Sequence, residues 1–274
     1  MTSMLPVVLH HGLFGSGDVR VGPVTLRYFR GIDRAIAARG HPVIVPWVHP
    51  SSSVAHRAAQ LADHVRRDLA AMGRLGQKVI LIGHSMGGLD ARYAVAKLGL
   101  DEHVAAVVTI TAPHRGSPYA SWIARNVVGR LGVGRLAGWL RMDIRAVADL
   151  TTEGCAAFND AVPDVPGLPY FSVSAARPWS KMPPFALHSH AIVNGAEGEN
   201  DGLVSVRSST WGTHLGTWAA DHWHTINRRY RPELNHPTGS ILPYWLRLLD
   251  QVTVGLSGVA PHEPCSTSRS SAAA

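Results

Sequence analysis

Three groups of residues in this chain have the types and spacing that acyl transfer needs. Gly83-His84-Ser85-Met86-Gly87 fits the pattern G-x-S-x-G, in which a serine sits on a sharp turn between a strand and a helix. Alone, the pattern is unspecific, because glycine and serine are common. Its setting says more: the apolar run Val79-Ile80-Leu81-Ile82 precedes it and a helix-forming stretch follows. That is the strand–turn–helix context of a nucleophile elbow, where larger neighbours would collide with strand and helix. Gly88 extends the small surface. The plainer alternative is a serine that N-caps a helix.

The second group is His10-His11-Gly12-Leu13-Phe14-Gly15, directly after a first apolar stretch. Attack on a carbonyl needs two backbone N–H groups aimed at the developing oxyanion. The residue after the nucleophile, Met86, supplies one; a loop after an early strand supplies the other, here assigned to Leu13. Without an elbow downstream, the same loop would read as an ordinary glycine turn.

The third group supplies a base and its orienting acid, which follow the nucleophile in the order acid, then histidine. Asn200-Asp201-Gly202 places a carboxylate in a loop, and Asp221-His222-Trp223-His224 follows the apolar stretch Leu215 to Ala219. An acid and a histidine on successive strand-end loops meet at the same sheet edge. Among sixteen histidines, His222 is the expected base, with His224 as its rival. Asp201 is the expected acid, although Asn-Asp-Gly is also a common turn sequence; Asp221 and Asp164 are the alternatives.

These residues need a scaffold that brings several loops to one edge. Pro6 to His10, His41 to Trp47, Lys78 to Ile82 and Val104 to Ile110 read as buried strands. Between them, Leu26 to Arg39, a stretch opening at Val54, and Met86 to Leu98 read as helices. Strand and helix alternating in this way predict an α/β fold with a doubly wound, mostly parallel sheet and helices on both faces. Further strands are expected near Tyr170 to Val173 and Leu215 to Ala219, and a closing helix over Ser240 to Gln251. One domain is expected over residues 5–254, with a short lid or cap over about 118–150 and a disordered, Ser- and Ala-rich tail over 255–274. Trp122, Val127, Val128, Leu131, Leu136, Trp139 and Leu140 could line an acyl pocket within that lid, or simply cover the core.

Composition narrows the classes. Hydrophobic residues make up 46% of the 274 and charged residues 16%, as in a globular enzyme. The net charge of +7 is scattered, without a basic stripe interleaved with aromatics, so no nucleic-acid partner is expected. No apolar run is long enough to cross a bilayer, whereas transient contact with a lipid surface suits the positive charge. The two cysteines, Cys155 and Cys265, form neither a disulfide framework nor a metal motif. The histidine pairs lack the spacing of a zinc motif. No signal peptide is visible, so a cytoplasmic location is the default expectation, with secretion the alternative if a leader has been removed.

Several ordered segments together resemble the bacterial true lipases of the α/β-hydrolase superfamily, the Pseudomonas and Burkholderia triacylglycerol lipase group. They are Leu9 to Gly15, Leu81 to Gly88, Thr111-Ala112-Pro113-His114-Arg115-Gly116-Ser117, Leu150 to Gly154 with Phe158-Asn159, Asn200 to Val204, and Asp221-His222 with Asn227. The resemblance implies an α/β-hydrolase fold and an acyl-ester or lipid substrate. It also places Ser85, Asp201 and His222 on the catalytic triad and Leu13 and Met86 on the oxyanion hole. The chain departs from the group where that group often binds calcium: His224 stands in place of a carboxylate, and Arg228 in place of a glutamine. Calcium wants several oxygen ligands, so no metal and no cofactor are expected. The lid region also looks shorter than the group's, which argues against strong interfacial activation. Another serine acyl-transfer activity (thioesterase, phospholipase or transacylase) and a non-catalytic lipid- or protein-binding role are the alternatives.

Overall fold

The structure, a computed structural model, describes residues 4–15, 19–21, 24–128, 144–228 and 240–258. Its strands in chain order are Val7–His10 (β1), Val19–Val21 (β2), Val24–Leu26 (β3), Val43–Ile44 (β4) and Val79–His84 (β5). Val104–Ile110 (β6), Tyr170–Ala175 (β7) and Thr213–Trp218 (β8) complete the set. The helices are Ile32–Ala37 (α1), Val54–Ala71 (α2), Met86–Lys97 (α3), Pro118–Ile123 (α4), Ile144–Asp149 (α5), Thr152–Ala161 (α6), Leu187–Glu197 (α7), Val206–Ser209 (α8) and Leu242–Gly258 (α9).

Six strands form one sheet in the order β4-β1-β5-β6-β7-β8, every pair parallel. Side chains alternate across it, as a strand's period of two requires. Val7, Leu9, Ile80, Ile82, Ala106 and Val108 face a core shared with α1 and α9. Val8, Val79, Leu81 and Val107 face a second core shared with α2 and α3. Burial on both faces explains why β1 and β5 read as unbroken apolar runs. A smaller third cluster around Met86, Leu89, Ala120, Leu150 and Cys155 lies beneath α4, α5 and α6.

The expected doubly wound α/β architecture is therefore the one observed, with local corrections. The helix expected over 26–39 is helical only over Ile32–Ala37, because β2 and β3 pair as an antiparallel ribbon and Gly31 turns the chain at φ 77°. The strand expected over 41–47 shrinks to Val43–Ile44, with Pro42 and Pro46 on either side lacking the N–H a ladder needs. The closing helix continues to Gly258 rather than stopping near 251, since Val252 is still fully buried. The first residues of the expected tail are thus helical. Leu131, Leu136, Trp139 and Leu140, assigned to the lid, lie outside the described residues, as does the rest of the tail. Among the described residues, no helix is long and apolar enough to cross a membrane.

Candidate active site

The chain leaves β1, forms β4 on one side, and returns to β5 on the other. This reversal opens a crevice at the carboxyl ends of β1 and β5, where open α/β sheets bind ligands. The Gly12–Phe14 loop and Ser85 both lie there. Ser85 adopts φ 56°, ψ −131°, a conformation that costs a non-glycine residue about 1–3 kcal/mol. Its N–H donates to the Ile110 carbonyl at 2.9 Å and its carbonyl accepts from the Gly88 N–H at 2.9 Å. The glycines around it are required by contact. A Cβ on Gly83 would lie 2.4 Å from the Gly87 carbonyl oxygen, and one on Gly87 2.8 Å from the carbonyls of His10 and His11. Backbone strain gathers at this edge. The other non-glycine residues with positive φ among those described, Phe14, Thr111 and Asn227, all lie in loops beyond carboxyl-terminal strand ends.

The other half of the site comes from the segments beyond β7 and β8. His222 Nδ1 lies 2.6 Å from Asp201 Oδ2, and Asp201 is fully buried. Its second oxygen accepts the N–H groups of Leu203 and Val204 at 2.9 and 2.8 Å. The Gly202 N–H donates to Asn200 Oδ1 at 2.8 Å, with Gly202 at φ 103°. Both carboxylate oxygens are thus satisfied and the carboxylate is fixed at the Nδ1 edge of the imidazole. The backbone repeats the link, since the His222 N–H donates to the Asp201 carbonyl at 2.9 Å.

The rival assignments have other partners. Asp221 accepts from Arg177 Nη1 at 2.6 Å and from the N–H groups of Trp223 and His224 at 3.1 and 2.9 Å. Asp164 binds the Trp211 indole and Arg92. His224 is buried and is not among the residues that line the cavity holding Ser85 and His222. The same contacts bear on calcium. Asp221 already answers a guanidinium and two amides, and among the described residues no three His, Cys, Asp or Glu side chains gather around a common point. The described residues do not fit a calcium cage.

Sequence reasoning missed two polar clusters behind the crevice. In the first, Arg57 donates to Asp90 at 2.8 Å and to the His11 and His49 carbonyls at 2.6 and 2.8 Å, while His10 Nε2 lies 2.8 Å from Asp90. It therefore anchors the peptide that precedes Gly12. A signal existed: Arg57 interrupts the apolar stripe of α2 between Val54 and Leu61. Burial holds the His10 pKa down and that of His11 well down, so both rings are neutral.

The second cluster threads through His84. The Thr225 hydroxyl donates to the His222 carbonyl at 2.6 Å, so it must accept from His84 Nε2–H at 2.9 Å. His84 Nδ1 then accepts from the Tyr28 hydroxyl at 2.8 Å, whose oxygen accepts the Gly12 N–H at 3.2 Å. One hydrogen-bonded chain thus joins the loop after β1 to the backbone of His222. Burial, then the nearby His222, push the His84 pKa well below its usual value, and burial pushes Tyr28 up to about 12. Both groups stay neutral.

Ser85, His222 and Leu13 line one cavity of about 330 Å³, in the range of small-molecule sites. Asp201 stands behind His222, and Met86 is the buried first residue of α3, where a helix leaves its N–H groups without intrahelical partners. One wall is apolar: Ile123 from α4, Val147 from α5, with Leu150 and Pro113. Trp122 is not among the lining residues; it stacks on Tyr119, which is, and lies edge-on to His188. Phe14 at the cavity is 58% exposed, as is Phe185, whose ring packs edge-on against Trp223 of the cavity lining. The arrangement offers a strained serine, a histidine with a buried carboxylate behind it, helix-terminal N–H groups and an apolar slot.

Residues 6–137 match the family described as the alpha/beta hydrolase fold. The triacylglycerol lipase of Pseudomonas fragi is 31% identical over 270 residues, covering 82% of this chain and 89% of that protein. Triacylglycerol lipase 2 of Saccharomyces cerevisiae is 29% identical over 211 residues, covering 74% of this chain; the match spans 63% of the yeast protein's length. The crystal structure of the mature Bacillus licheniformis lipase BlEst2 superposes with a TM-score of 0.68 at 24% identity, over 91% of this chain and 93% of that one. At that identity the likeness speaks for the fold alone.

Proposed function

The chain belongs to the bacterial lipases of the α/β-hydrolase superfamily, and we propose that Ser85, His222 and Asp201 hydrolyse lipid acyl esters, triacylglycerols among them, through an acyl-enzyme. His222 Nε2 takes the Ser85 proton as Oγ bonds to the ester carbonyl carbon. Asp201, on Nδ1, orients the ring and stabilises the imidazolium. The N–H groups of Leu13 and Met86 stabilise the oxyanion of the tetrahedral intermediate. Collapse expels the alcohol oxygen, which takes the proton from His222. Water then attacks the acyl carbon as it gives a proton to His222; the bond to Ser85 Oγ breaks, His222 returns the proton to Oγ, and the acid leaves.

The observation that carries this reading is the 2.6 Å contact of His222 with buried Asp201, facing a cavity that also holds the strained Ser85. The apolar wall of Ile123, Val147 and Leu150 suits the acyl chain. The exposed Phe14 and Phe185 near its mouth suit brief contact with a lipid surface. Hydrolysis of p-nitrophenyl esters from acetate to palmitate, wild type beside Ser85→Ala and with EDTA, tests it. Activity that prefers chains longer than butyrate, ignores EDTA and disappears in Ser85→Ala is expected. A folded wild-type protein inactive on every chain length would reverse the reading.

A further inference from the structure

We propose that Arg228 makes this site select esters whose alcohol portion carries an anion, a phosphate or a carboxylate. The inference rests on the Ser85–His222 reading and deepens it. In that chemistry His222 must return its proton to the leaving oxygen, so the alcohol departs on the histidine side of the cavity. The acyl chain takes the opposite, apolar wall. Arg228 is six residues past His222 in sequence and lines the same cavity. Among the described lining residues, it alone carries an Asp, Glu, Lys or Arg charge.

Its position is fixed by the backbone. The Arg228 N–H donates to the Trp223 carbonyl at 3.1 Å. The preceding Asn227, at φ 61°, bonds the His224 carbonyl through its N–H and the Arg30 carbonyl through its side chain. Its positive charge reaches Tyr28 and His84, where it opposes the upward shift of the phenol and adds to the downward shift of the imidazole, and all three line the cavity that His222 also lines. The fully buried or nearly buried arginines each face a carboxylate: Arg57 with Asp90, Arg92 with Asp164, Arg177 with Asp221. Arg228 has no such partner among the described residues, and its buried Nε donates to no group there. A guanidinium presents a planar fork of donors that matches phosphate and carboxylate oxygens. In a cavity partly shielded from water, an unpaired one is costly and an anionic ligand relieves the cost. A substrate anion supplies the counter-charge that no described residue gives Arg228.

The test uses pairs that share the acyl ester and differ in whether the alcohol portion carries an anion. 1-Octanoylglycerol 3-phosphate is compared with 1-octanoylglycerol, and 4-butyryloxybenzoate with its methyl ester. Wild type is expected to favour the anionic member of at least one pair by about tenfold or more in kcat/KM, and the pair that responds identifies phosphate or carboxylate as the anion read. Added salt should shrink that preference. Arg228→Gln should abolish the ratio, whereas Arg228→Lys, which keeps the charge, should retain part of it. The ratio remains readable even if a variant's overall rate falls. If Arg228→Gln does not fold, the wild-type salt series and Arg228→Lys decide. No anionic preference in wild type, a preference indifferent to salt, or an unchanged ratio in Arg228→Gln overturns the proposal. Full activity of Ser85→Ala on both members would instead overturn the nucleophile assignment.

Discussion

The crevice between β1 and β5 is shaped by glycines, whereas the loops around β7 and β8 are shaped by charged side chains. Gly83, Gly87 and Gly88 let a strand, a helix and a loop meet around Ser85, and any Cβ there would strike backbone or a packed side chain. On the other side, Asp201 is fixed by two amides and His222, and Asp221 by Arg177 and two further amides. Close packing fixes Ser85; buried electrostatics fix His222. The contrast teaches that the two halves should fail differently, the first through steric exclusion and the second through unpaired charge.

Asp201→Asn is the change that should separate roles most sharply. The amide keeps the shape of the side chain but cannot hold His222 as the Nδ1–H tautomer, so kcat should fall about 10⁴-fold with little loss of stability. Asp221→Asn should do the reverse, lowering the unfolding temperature and leaving most of kcat. Ester kinetics beside thermal unfolding decide, and an exchange of these two outcomes would mean that the acid is misassigned.

A paired stability measurement sharpens the same comparison. Arg177→Gln leaves the Asp221 carboxylate buried without its cation, and loss of one partner of a buried pair costs about 3–5 kcal/mol. Gly83→Ala overpacks the elbow, for which about 1–3 kcal/mol is typical. Urea unfolding should rank them in that order, with Gly83→Ala losing the greater share of activity per kcal/mol of stability lost. The opposite ranking would make close packing at the centre of the sheet the more demanding constraint.

Taken ring by ring, the smallest expected effect is pH dependence. Burial depresses the folded-state pKa of His10, His11, His84 and His114 below the usual 6.5. The unfolded chain therefore binds protons that the folded chain refuses, and stability falls as pH drops below about 6.5. Each ring that stays neutral contributes about 1 kcal/mol per pH unit below that point. Urea midpoints measured from neutral pH to about pH 5 should decline, and His84→Gln should flatten the slope. A midpoint that rises on acidification would contradict the neutral state of these rings.

Much of the central half was legible in the sequence. The apolar runs of β1 and β5 and the glycines flanking Ser85 announce their constraints within a few residues. The edge half was legible only as candidates. His222 and His224 are two positions apart on one loop, and only the partners that Asp201 and Asp221 find in space distinguish their surroundings. The Arg57–Asp90 anchor joins residues 33 apart and the His84–Thr225 contact residues 141 apart, so no local spacing could reveal them. The shortened α1 and β4 turned on Gly31 and on two prolines whose effect depends on the ribbon and ladder beside them.

The central claim, that Ser85 is the activated nucleophile, is tested most directly by covalent labelling with an alkyl fluorophosphonate and peptide mapping by mass spectrometry. The account predicts a single adduct on Ser85, formed quickly in wild type, slowly in Asp201→Asn and not at all in Ser85→Ala. A folded protein that takes no label, or takes it on another residue at equal rate in Ser85→Ala, would contradict it.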